Sequence, residues 1–151
     1  MYDSTEMYEL GNAFLNVADT CFVEGKIKNR SEYQNVAGVV NLAFAAEIYL
    51  KCLLNINGKQ IRGHKLFELW NEFKNINSQE AKDIENAVLD QIVTDFSFDD
   101  MLKNNSDAFY NYRYFYDPDC LSDIKSNPLR LNFLRFFTII LQQGLKVRLS
   151  K

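Results

Sequence analysis

At 151 residues the chain is most simply one domain, residues 1–151, long enough to bury a core without disulfide or metal staples. Its 47% hydrophobic and 25% charged residues are ordinary for a globular protein, and a net charge of -3 argues against a large nucleic-acid footprint. Cys21, Cys52 and Cys120 lie too far apart for a metal-type pair. With no export signal in MYDSTEMYEL, they point to reduced thiols and a cytoplasmic protein.

The first helix is predicted over residues 4–23, with Met7, Leu10, Phe14, Val17 and Cys21 as its apolar stripe. Gly25 ends it, and Lys26, Lys28 and Arg30 form a short basic turn, read as a solvated connector or a phosphate contact. Ser31 with Gln34 makes a capping-box pattern that opens the next helix, and Asn57-Gly58 closes it. Between them residues 36–54 are apolar nearly all the way round, as befits the middle of a bundle. Glu47 and Lys51 near the centre of this run make a membrane span a poor reading. One face reads Val36, Val40, Ala43, Glu47, Leu50 and Leu54, so a carboxylate stands where an aliphatic residue is expected.

A short third helix turns Leu66, Leu69, Trp70 and Phe73 inward. Asn77 with Glu80 caps a fourth, which is expected to bury Ala81, Ile84, Val88, Ile92 and Phe96. A fifth is predicted from Asp99 to about Tyr116, interrupted near residues 104–106 and stopped by Pro118. Residues 117–126 read as a loop with at most one helical turn. Asn127-Pro128 opens the last helix, which carries Leu129, Phe133, Phe136, Ile140 and Val147. No alternating strand pattern is present. The expected class is all-α, an antiparallel bundle of five to six helices.

Three places carry chemistry. Glu47 is an isolated carboxylate on an apolar face, with Lys51 one turn on. It reads either as part of a structural polar network or as a pocket carboxylate that positions Arg113 or His64. His64 is the only histidine, so general acid–base work near neutral pH falls to it first. The alternative is a helix cap or packing against Trp70. Residues 107–117, DAFYNYRYFYD, surround Arg113 with aromatics, and on one helix Phe109, Tyr112, Arg113 and Tyr116 share a face. An arginine so placed can offer its fork to an anion or phosphate, or bridge to Glu47 in the core. No ligand spacing for a metal is present, and no cofactor motif is found.

Taken together these stretches resemble the HEPN superfamily of small helical bundles. The matching residues are Ala46-Glu47, Leu50-Lys51, Leu53-Leu54 and Asn57-Gly58, then Gly63-His64-Lys65-Leu66 with Leu69, and finally Phe109 with Arg113-Tyr114-Phe115-Tyr116-Asp117. The likeness covers about residues 36–117. Many HEPN proteins are metal-independent RNases, often toxins or antiphage effectors, that work as dimers through paired Arg-x4-His motifs. The resemblance therefore implies a homodimer and an RNA or nucleotide ligand. It also leaves room for a partner protein of antitoxin type, and with Glu47 and Lys51 in the apolar run no membrane is expected. Here Pro118 stands five residues after Arg113, and no histidine follows it.

Three readings follow. One is a HEPN-like dimeric binding or regulatory module without standard RNase catalysis, using Lys51, Tyr112, Tyr116 and Asp117 as binding residues. A second is a divergent ribonuclease in which Arg113 stabilises phosphorane charge, His64 is the acid–base group and Glu47 orients one of them. The third is a structural interaction protein in which Glu47, Lys51, His64 and Arg113 form a buried network.

Overall fold

The computed structural model describes residues 1–23, 27 and 31–151, and among these it is helical with no strand. Its helices are α1 (Ser4–Phe22), α2 (Glu32–Ile56), α3 (Leu66–Ile76) and α4 (Ser78–Leu89), then α5 (Phe98–Asn105), α6 (Ala108–Arg113), α7 (Pro118–Ser126) and α8 (Leu131–Leu149). The turn of Gly25, Lys26, Lys28 and Arg30 lies outside the described residues.

The all-apolar stretch forms the central helix. Fourteen residues of α2 are buried, including every position from 45 to 50. By length and composition α2 could cross a membrane, but 67% of its most apolar window is buried inside the protein, so the core accounts for its character. α1 runs antiparallel to it. Asn55 donates to the Tyr2 carbonyl and the Ser4 hydroxyl at one end of the pair, and Gly38 meets Phe22 at the other. α8 also lies antiparallel to α1, with Gln142 donating to Asn12 and Arg135 facing Asp19. α3 and α4 make a hairpin cornered at Asn77, whose side chain accepts from the Glu80 amide while Glu80 accepts from its Nδ2, as the capping pattern predicts. Trp70 is fully buried among Phe73, Phe98 and Phe137 and ties α3, α5 and α8 into one core.

The bundle has more helices than the five to six expected. The predicted fifth helix breaks at Ser106-Asp107 into α5 and α6. Ser106 is spent on the start of α3, accepting from the Leu66 amide with its carbonyl and from the Phe67 amide with its hydroxyl. Residues 117–126 are helix rather than loop. Pro118 begins α7 instead of only ending what precedes it, because its missing N–H costs nothing at a first helical position, and the Asp117 carboxylate caps the turn through the Asp119 amide.

Other boundaries move as well. Asn127 ends α7 and α8 starts at Leu131, three residues beyond Pro128. Ser31 makes no side-chain cap bond. α4 stops at Leu89, and Phe96 lies exposed beyond it beneath the Arg130 guanidinium. Leu10, Val17 and Val147 are also exposed. α1 turns Gly11, Leu15 and Ala18 inward instead, where small residues let α2 come close.

Candidate functional site

The carboxylate of Glu47 is brought to the edge of the core on α2, with its side chain 2% exposed. Two nitrogen donors meet it there. Lys51, one turn on, donates at 2.8 Å, and His64 Nδ1 lies 3.0 and 3.1 Å from the two carboxylate oxygens. The loop after α2 makes the second contact possible. Gly58 and Gly63 take φ of +79° and +114°, conformations that side chains resist, and so return the chain to place His64 beside Glu47. Because an ionised carboxylate only accepts hydrogen bonds, Nδ1 carries the hydrogen and Nε2 is left free. The His64 side chain is 58% exposed. A buried acid thus fixes the tautomer and orientation of an imidazole that faces outward.

His64 packs against Phe109, with ring centres 5.5 Å apart, and not against Trp70. It precedes Lys65, the N-cap residue of α3, so it is not the cap either. Phe109 is held by Phe44 of α2, stacked at 4.8 Å. The same phenylalanine carries the Arg113 guanidinium, 4.7 Å from its centre, and the Tyr114 ring lies 4.8 Å from that guanidinium. Arg113 is exposed and makes no ion pair with Glu47. The expected core bridge is absent, because Lys51 and His64 already satisfy the carboxylate and α6 ends at Arg113 on the surface. In place of the expected buried four-membered network stands a Glu47–Lys51–His64 cluster that reaches solvent at His64, with Arg113 outside it.

The predicted binding residues scatter. Lys51 serves Glu47. Tyr112 is half-buried, its hydroxyl pKa raised by burial, and it lines a cleft of about 350 Å³ with Asn104, Asn111 and Asp123. Tyr116 is 82% exposed beyond the end of α6, so it shares no helical face with Arg113. Asp117 is the cap of α7. A second cleft of about 480 Å³ opens beside His64, between the start of α3 and helices α6 and α7, with Glu68, Asp107, Tyr110, Asn111 and Asp123 in its walls. Arg113 does not line it.

Sequence reasoning missed Tyr110, Asp107, Asn111 and Asp123. The usable signal was the Asp117-Pro118 pair, which opens α7 and so carries Asp123 back toward α6. Among the described residues, no group of three or more His, Cys, Asp or Glu side chains could hold a metal ion. No family model, curated protein or solved structure matches this chain.

Proposed function

We propose that the chain is a HEPN-like helical bundle acting as a homodimeric nucleotide- or RNA-related binding or regulatory module, without standard RNase catalysis. It would work beside a partner protein, as in bacterial defence or toxin–antitoxin systems. The observation that carries this reading is that His64 and Arg113, from distant parts of the chain, both reach the surface around the Phe109 ring. Among the described residues Arg113 pairs with no carboxylate and is braced by two aromatic rings, so its fork is available to a phosphate. His64, held by Glu47, adds a second oriented donor or acceptor. The position five residues after Arg113, which an RNase of this superfamily would fill with histidine, is the first residue of α7 and is a proline. The resemblance supplies the dimer and the partner.

A second reading, a divergent metal-independent ribonuclease, draws on the Glu47–His64 pair. A carboxylate behind Nδ1 with Nε2 free is the arrangement a general base needs. The carboxylates of Glu68, Asp107 and Asp123 in the neighbouring cleft weigh against a phosphate passing close to that nitrogen.

The test is a mixed RNA pool incubated with purified protein in chelator, with Arg113→Ala alongside and the mass in solution measured on the same samples. A dimer that retains RNA without cutting it, and loses it in the variant, is the expected result. Cleavage that disappears in both Arg113→Ala and His64→Ala would replace this reading with the second. A monomer that binds no RNA would end both.

A further inference from the structure

The cleft beside His64 has walls that suit one half of a nucleotide better than the other. Its volume of about 480 Å³ is that of a small-molecule site. Asp107, Asn111 and Asp123 line both this cleft and its 350 Å³ neighbour, so they stand where the two meet. Asp107 precedes α6 without capping it. None of these three side chains takes a hydrogen bond or ion pair among the described residues. Two idle carboxylates repel phosphate but welcome a ligand edge rich in N–H donors. In the wall of the same cleft Tyr110 is 53% exposed, its ring 5.1 Å from that of Tyr114, and offers a flat face. Lys65 lines the same cleft and supplies the donor that a phosphate would require.

Resting on the nucleotide reading above, we infer that this cleft receives a guanine base, from a free guanosine nucleotide or from an unpaired guanosine in RNA. Guanine is the base whose edge puts N1–H and the N2 amino group side by side, so that one carboxylate accepts both. Asn111 can donate to its O6, and Tyr110 can stack on its face. Uracil presents a single N–H between two carbonyls, which face a carboxylate badly. Adenine and cytosine each offer one amino group and fall between.

The test is calorimetric titration of the full-length protein with GMP, AMP, UMP and ribose 5-phosphate, then with short unpaired RNAs with and without one guanosine. GMP is expected to bind about tenfold or more tightly than UMP, and the guanosine-containing RNA more tightly than its control. Asp123→Asn and Tyr110→Ala should each weaken GMP about tenfold while leaving the circular dichroism melt in place. Should either variant fail to fold, Asp107→Asn takes its place. Free GMP binding without preference for guanosine in RNA assigns the cleft to the mononucleotide, and the converse assigns it to RNA. Ribose 5-phosphate binding as well as GMP would overturn the assignment of the base. So would spermidine binding through Asp123 while GMP does not, because the carboxylates would then serve a cation. RNA retained through Arg113 with no base preference removes this inference and leaves the proposed function standing. No binding of any nucleotide or RNA removes both.

Discussion

Gly11→Ala tests the packing that sets α1 on α2. A methyl group built at Gly11 would lie 2.4 Å from Tyr49 Cε1 and 2.7 Å from Cδ1, far inside contact distance. Tyr49 cannot step aside. It is wholly buried, its hydroxyl donates to Asn12 Oδ1 at 2.7 Å, and that oxygen also accepts from Gln142 of α8. Intrinsic propensity favours alanine in a helix by about 1 kcal/mol. Overpacking a rigid site costs about 1–3 kcal/mol, and an overlap this deep belongs at the upper end. The expected net loss is therefore about 2 kcal/mol, or roughly 4–8 °C in Tm for a chain of this size. Gly144→Ala in α8 is the control, since an added methyl there meets nothing within 4 Å, and it should stabilise by up to about 1 kcal/mol. Urea and thermal melts of both variants decide the matter. If Gly11→Ala is as stable as Gly144→Ala, the α1–α2 contact at Tyr49 is misplaced.

Other outcomes follow from the same structure. Glu47→Ala should destabilise by about 1–3 kcal/mol, less than a sealed pair, because Lys51 at 23% side-chain exposure and His64 at 58% can turn to water; an unchanged urea midpoint would contradict the cluster. Glu47→Gln should cost about 1 kcal/mol and release the His64 tautomer, read from its ring ¹⁵N shifts. Arg113→Ala should change stability by no more than about 1 kcal/mol, since an exposed arginine over aromatic rings is worth no more, and a large loss would return it to the core. Burial pushes the Cys52 thiol up to about 11 and also raises the Tyr49 and Tyr112 hydroxyls. Each group is held neutral in the fold, so this contribution is whole below the unfolded value, 9.0 for the thiol, and fades as pH climbs toward 11. Urea midpoints should accordingly fall between pH 9 and 11, and a flat profile would contradict that burial.

The sequence by itself determined the class and the centre. An apolar stretch with no polar face has only one place in a bundle, and α2 occupies it. Local chemistry also set the Asn77–Glu80 corner and the positive-φ glycines around the α2–α3 loop, because caps and turns depend on neighbours in the chain. It marked Glu47 as a carboxylate on an apolar face, which it is, and His64 as the only histidine. Only the tertiary structure decided that they meet, and that Lys51 completes their cluster while Arg113 stays outside. A carboxylate takes whichever donors the packing brings within reach, and periodicity does not rank them. The inward face of α1 was decided in the same way. Gly11 and Ala18 carry no strong hydrophobic signal, yet they face α2 because close approach rewards the absence of a side chain. Pro118 was ambiguous for a related reason, since proline both ends a helix and begins one. The Asp117 cap, and the position of α7 against α6, resolved it and placed Asp123 at the cleft.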